Sequence, residues 1–308
     1  MRISATLLAL SACAPTQVWS ETPLPARCAA GGLPQGEAVL GLTHEKQPRS
    51  TLLWAPASAG PHDLVVDLHD FRAEPRRQAH YSTWVPFAQQ IGALLAAPDG
   101  RSSTWNAGNN CCGKAAEKES TDRELLDRVA DIAEATGCTS GRVLATGIGN
   151  GGMMAERWAC ESDRVDAVVS VGGALQLDTC ENKRPIPIVH YHGDQDTQYP
   201  VGGSVGYPEQ GTAKPASAAL EIWKIRNRVV GPPIHSEGGA LTCDRWEGAA
   251  PVVWCTVHGM KDSWPGSQEW PAEPAFPLSD ATTGPYNEVI IPWWNTNLQN
   301  LSPSNTGR

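Results

Sequence analysis

From about residue 51 the apolar positions follow two alternating patterns. In one, they stand almost unbroken, as in Leu64-Val65-Val66, which is how a strand covered on both faces reads. In the other they recur every third or fourth position, as in Leu125, Val129, Ile132 and Ala133, the stripe of a helix. The first pattern predicts strands over 51–55, 63–68, 92–97, 142–146, 166–171, 186–192 and 252–257. The second predicts helices over 83–91, 151–160 and 216–228. A further helix begins at the capping-box pattern Thr121-Asp122-Arg123-Glu124 and stops at Gly137. Strands alternating with helices at this spacing form βαβ crossovers, so the expected architecture is α/β, a mostly parallel central sheet with helices on both faces. One domain over 51–308 accommodates it, with 21–50 as an N-terminal segment. The polar stretch 99–120, which holds Cys111 and Cys112, reads as a loop pinned by disulfides, and 202–214 as an insertion over the carboxyl end of the sheet.

The first twenty residues do not belong to that pattern. Arg2 followed by the apolar stretch 3–12 reads as an export signal. Leu10-Ser11-Ala12-Cys13 has the form of a lipobox, which would place lipid on Cys13 and leave 14–25 as a tether; cleavage near Ser20 is the other outcome. Removing Cys13 from the nine cysteines leaves an even number, as disulfides formed in an oxidising compartment require. The one pairing expected is Cys243 with Cys255, which flank a turn-rich segment and a strand. No pair has the C-x-x-C spacing of a zinc site, so neither a metal nor another cofactor is expected.

Charge narrows the partners. The 24 Lys and Arg against 33 Asp and Glu give a formal net charge of −9, and no basic run could follow a phosphate backbone, so nucleic acid is not an expected partner. Beyond residue 20 no apolar run reaches the ~18 residues of a membrane span, so contact with a membrane would come only through a lipid on Cys13. The expected location is the cell envelope or the exterior.

Candidate chemistry gathers at Thr146-Gly147-Ile148-Gly149-Asn150-Gly151-Gly152, which has the strand, tight turn and helix layout of a nucleophile elbow. An active elbow reads G-x-S-x-G. Here Gly147 and Gly151 flank a centre occupied by Gly149, which has no hydroxyl.

Taken in order, Trp105-Asn106-Ala107-Gly108, Cys111-Cys112-Gly113, the elbow with Met153-Met154, Ala159-Cys160-Glu161, His190-Tyr191-His192-Gly193 leading to Asp196, and Trp264-Pro265-Gly266 resemble the secreted polyhydroxybutyrate depolymerase and feruloyl esterase family of α/β-hydrolases. The resemblance implies that fold and an ester-directed cleft. It also assigns positions: Gly149 falls on the nucleophile, Asp196 on the acid and Asp262 on the base, so the catalytic triad is degenerate and only the acid remains. Near the oxyanion hole the family's L-H-G segment becomes Leu68-His69-Asp70-Phe71, and a carboxylate there would oppose a developing oxyanion.

The expected ligand-contacting residues are His69, Asp70, Trp105, Asn106, Asn150 and Trp264, with Trp105 the foremost cleft wall. Three functions follow from these residues. The first is an exported, non-hydrolysing homologue that binds a polymer, glycan or phenolic ester. The second is a carboxylic ester hydrolase with a rearranged triad, for which Ser263 and His258 are the neighbouring candidates, and the third is a structural envelope protein.

Overall fold

The computed structural model describes residues 18–19, 36–58, 60–180, 184–203 and 212–265. In chain order the elements are β1 (Val18–Trp19), β2 (Gly36–His44), β3 (Gln47–Ala55), β4 (His62–Leu68), α1 (Pro75–Tyr81), α2 (Trp84–Ile91), β5 (Leu94–Pro98), α3 (Gly113–Glu117), α4 (Asp122–Ala135), β6 (Thr139–Ile148), α5 (Asn150–Glu161), β7 (Ala167–Val171), β8 (Ile188–Gly193), α6 (Ala216–Arg226), β9 (Ile234–Gly238), β10 (Leu241–Trp246) and β11 (Val252–Val257). They build one sheet in the order β1-β2-β3-β5-β4-β6-β7-β8-β11-β10-β9.

Six central strands, β5-β4-β6-β7-β8-β11, run parallel. β5, β7 and β8 are buried along their whole length, Ser170, His190 and His192 included. Trp84 and Phe87 of α2 and Ala79 of α1 cover one face. Leu125 and Leu126 of α4, Met153 and Trp158 of α5, and Trp223 of α6 cover the other.

Antiparallel strands extend the sheet at both ends, and here the pattern was less informative. β2 pairs with β3 from Gly36↔Ala55 to His44↔Gln47, so the sheet takes in residues before 51. β9 and β10 were not predicted because exposed Ile-His-Ser-Glu-Gly and half-buried Leu-Thr-Cys-Asp-Arg-Trp carry little apolar alternation. α1 was not predicted either; Pro75 at its first turn leaves no backbone N–H there to satisfy.

Two local expectations are corrected. Thr121 does precede α4, but its hydroxyl bonds His44 Nε2 at 2.9 Å and Glu45 Oε1 at 3.1 Å instead of capping the helix. Cys111 and Cys112 are bonded to each other, so they do not tie the 99–120 loop to another element. That loop also contains the short helix α3. Cys160–Cys180 and Cys243–Cys255 are the other described disulfides, the second joining paired residues of β10 and β11. Cys13 and the export segment before Val18 lie outside the described residues, as do 204–211 of the expected insertion.

α5 is braced from three sides. Trp158 Nε1 donates to Asp127 Oδ1 of α4 at 2.8 Å. Buried Glu156 accepts from Ser170 Oγ at 2.6 Å, Leu175 N at 2.9 Å and Trp223 Nε1 at 2.7 Å, and faces His190 Nδ1 at 3.1 Å. At the far end of α6, fully buried Asn227 accepts from Ile186 N at 3.2 Å and donates to Ile186 O at 2.7 Å. Asn227→Ala leaves those backbone groups unpaired and is expected to cost about 1–3 kcal/mol. Urea unfolding checks this: the midpoint falls while the slope is unchanged.

Candidate functional site

The elbow forms between β6 and α5. Gly149 stands at its apex with φ 52° and ψ −121°, a conformation that ordinary side chains adopt only under strain. A Cβ at Gly151 would lie 2.5 Å from His69 O, and one at Gly147 would lie 2.7 Å from Leu68 O, so strand and helix can approach only because both are glycines.

Above the apex lies Asp70. Its Oδ1 accepts the Asn150 backbone N–H at 2.8 Å, and Phe71, whose backbone N–H acts to lower the carboxyl's pKa, follows it in the chain. In an α/β-hydrolase these two places, the residue after the nucleophile and the loop after an early strand, supply the oxyanion hole. Gln198 Nε2 donates to Oδ2 at 2.9 Å and the Tyr199 hydroxyl reaches Oδ1 at 3.5 Å. The carboxylate also fills the room of a missing side chain. A Cβ built on Gly149 would run into Asp70 Oδ1, at 2.6 Å from Asp70 Cγ and 2.7 Å from Tyr199 Cε2.

Asp196 and Asp262 approach the same point. Buried Asp196 follows β8, and its Oδ1 accepts the backbone N–H groups of Gln198 at 2.9 Å and Tyr199 at 2.8 Å. Its Oδ2 has no hydrogen-bond donor and lies 3.7 Å from His192 Nε2. Asp262 turns its Oδ1 inward, where no donor meets it. Desolvation raises all three carboxyls: Asp70 to about 6, where the Asp196 charge adds to the effect, and Asp262 well above its ordinary value, with Asp70 and Asp196 adding repulsion. Tyr199 is held neutral by burial and by the same three charges.

Behind Asp196 the ring nitrogens form a chain. His190 Nε2 meets His192 Nδ1 at 3.0 Å, and His192 Nε2 meets Tyr199 O at 2.7 Å. Desolvation, then the neighbouring His190, depresses His192 to about 3, so it is neutral. The His190 ring stacks on Trp254 with centroids 3.9 Å apart. No group of three or more metal-ligating side chains occurs among the described residues.

Several expected ligand contacts are instead internal braces. His69 is fully buried, with Nδ1 2.8 Å from Asp70 O and Nε2 accepting from Gly100 N at 3.0 Å. Trp105, expected as a cleft wall, is also fully buried, and its indole donates to His69 O at 2.9 Å. Asn150 clamps it, accepting from Trp105 N at 2.7 Å and donating to Trp105 O at 2.9 Å. Trp264 is buried and its backbone N–H donates to the Tyr81 hydroxyl at 2.9 Å. Asn106 is directed away from the elbow, donating to Ser120 O at 3.1 Å, and lines a separate polar cleft with Arg157 and Glu161. Sequence reasoning missed Gln198 and Tyr199; their place just after Asp196 was the available signal. His258 is exposed and engaged with Asp194 at 3.0 Å. Of the C-terminal tryptophans, Trp270, Trp293 and Trp294 lie outside the described residues.

No protein-family model matches the chain. It is 28% identical over 253 residues to NocK, a provisionally named esterase of Nocardia uniformis subsp. tsuyamanensis, covering 75% of this chain and 71% of that protein. Against feruloyl esterase B of Piromyces equi it is 25% identical over 213 residues, covering 64% of this chain but only 38% of the relative. An acetyl xylan esterase from Aspergillus awamori superposes with a TM-score of 0.56 over 73% of this chain and 94% of its own, at 12% identity, a likeness of fold alone. The fold is that of the α/β-hydrolases. Within it, this chain is esterase-like.

Two outcomes follow from the crowded apex. Gly149→Ser is expected to lower stability by about 1–3 kcal/mol through overpacking, and Asp70→Gly in the same chain to recover most of it, as read from denaturation midpoints. The second outcome concerns pH. A carboxyl whose native pKa is raised stabilises the protein when protonated and loses that contribution as pH rises through the native pKa. Asp262→Asn is therefore expected to be more stable than the natural chain at pH 8, with the difference shrinking toward pH 4. Comparing the two proteins at each pH cancels the opposing contribution of His192, whose depressed pKa costs stability as pH falls below its unfolded value.

Proposed function

We propose that this chain is an exported, esterase-like α/β-hydrolase that binds a polymer, glycan or phenolic ester without cleaving it through a serine. The position of the Asp70 carboxylate carries this reading. It takes up the space of an apex side chain and the Asn150 backbone N–H, a donor that would receive an oxyanion. Losing one such donor costs about 10²–10³ in turnover, and a serine triad without its members keeps only the ~10³–10⁴ that binding and the hole provide. Here the hole itself is filled. The ester and glycan classes come from the names of the relatives, a feruloyl esterase and an acetylxylan esterase/xylanase. Three described disulfides support an oxidising compartment, reached by export with either release or a lipid on Cys13.

The esterase names favour a second reading, hydrolysis by carboxylates. Asp70, pushed up to about 6, and Asp262, raised well above its ordinary value by burial and by its two neighbours, could divide the roles of base and acid, as paired carboxyls with separated pKa values do.

Purified full-length chain is assayed with 4-nitrophenyl acetate and methyl ferulate, with a fluorophosphonate probe, and for binding of methyl ferulate and xylan oligomers by calorimetry. The expected result is saturable binding of at least one ligand with neither turnover nor probe labelling. Turnover that resists the phosphonate but disappears in Asp262→Asn would replace the proposal with the carboxylate hydrolase. Turnover abolished by the phosphonate would point to a relocated serine, with Ser263 first to substitute. Absence of both binding and turnover would leave the structural envelope role.

A further inference from the structure

We infer that β9 is a self-complementary edge through which two copies of this chain join their sheets across a two-fold axis. The observations lie at the end of the sheet remote from β1. All five residues of β9 are exposed, and no strand lies beyond it among the described residues. A bare edge of this kind is a template for another strand. Three of the four exposed large hydrophobics among the described residues occur in the adjoining segment: Ile225 at 77%, Val230 at 72% and Ile234 at 59%. Val230 and Ile234 both lie beside β10, since Val230 N donates to Glu247 O at 3.0 Å and Ile234 is in register with Arg245.

The register of the β9–β10 hairpin decides which groups are open. Gly238 pairs with Leu241 across the two-residue turn Gly239-Ala240, and Gly239 at φ 57° with Ala240 at negative φ fits a type II′ turn. That turn closes on a hydrogen-bonded pair, so alternation directs the backbone of Gly238, Ser236 and Ile234 toward β10. The N–H and C=O groups of His235 and Glu237 then point outward.

An antiparallel second copy centred on Ser236 places His235 opposite Glu237 twice and makes four backbone hydrogen bonds. It also sets Ile234 opposite Gly238, around whose Cβ position no atom lies within 4 Å. Shifting by two residues either way brings His235 against His235, with Glu237 facing Pro233, or Glu237 against Glu237. Like charges directly opposite are unfavourable, and Pro has no N–H to contribute. The central register is therefore selected both by charge and by backbone. The contact is isologous, as a closed dimer requires.

Sedimentation velocity of the full chain over a hundred-fold range of concentration should show a monomer–dimer equilibrium. His235→Pro removes the outward N–H together with the imidazole that meets Asp244 Oδ1 at 2.8 Å and Glu237 Oε1 at 3.1 Å within the chain, and should abolish the dimer, while Glu237→Lys should weaken it about tenfold. Ser236→Cys should form a covalent dimer under mild oxidation, because facing residues at a non-hydrogen-bonded position sit ~4.5 Å apart between Cα atoms. Thr242→Cys on β10 should not. Unchanged melting temperatures confirm that the variants fold. A natural chain that stays monomeric throughout, or a dimer that persists in both His235→Pro and Glu237→Lys without a Ser236→Cys crosslink, would overturn the inference.

Discussion

The bond from the Asn150 backbone N–H to the Asp70 carboxylate organises the middle of this molecule. It sits at the positive end of the twelve-residue α5, where an anion is stabilised by unpaired N–H groups and by the helix dipole. An esterase keeps this place empty until a reaction brings negative charge to it. Here the negative charge is built in, supplied by the loop after β4. The glycines follow from this arrangement as much as from the elbow, since an apex side chain and this carboxylate cannot share the same space.

Permanent occupation changes the surroundings. With the Asn150 N–H engaged, the remaining polar atoms around the apex are chiefly acceptors: Asp196 Oδ2 and Asp262 Oδ1 have no donors, and the Tyr199 hydroxyl already leans toward Asp70. Such crowding is unfavourable for three charges: burial raises all three carboxyls, and repulsion adds to it at Asp70 and Asp262. The rigid floor under them, formed by α5 and its ties to α4 and α6, resists the relaxation that would otherwise spread them apart.

How much could be read beforehand depended on the physical signal. The parallel strands were legible because burial on both faces leaves unbroken apolar runs, and the elbow because close approach demands Gly147 and Gly151. Asp70 stood out as a charge beside an expected oxyanion, although its sequence could not say that it enters the hole. His69, Trp105 and Trp264 were read as surface contacts because a motif shows residue type and not depth. β9 and β10 escaped for the opposite reason, since an edge strand with both faces in water has no apolar face to reveal it. Thr121 had the right spacing for a helix cap, yet a distant His44 and Glu45 claimed its hydroxyl.

The chain of rings behind Asp196 takes its order from a single backbone oxygen. His192 Nε2 faces a carbonyl oxygen and must carry a proton there, which leaves its Nδ1 to accept from His190 Nε2. His190 Nδ1 at the other end faces both the Ser170 hydroxyl at 2.8 Å and the Glu156 carboxyl at 3.1 Å. One backbone carbonyl thus sets the direction of the hydrogens along the row, and the two rings are a fixed constituent of the interior, as much a part of its packing as Trp254 stacked against His190.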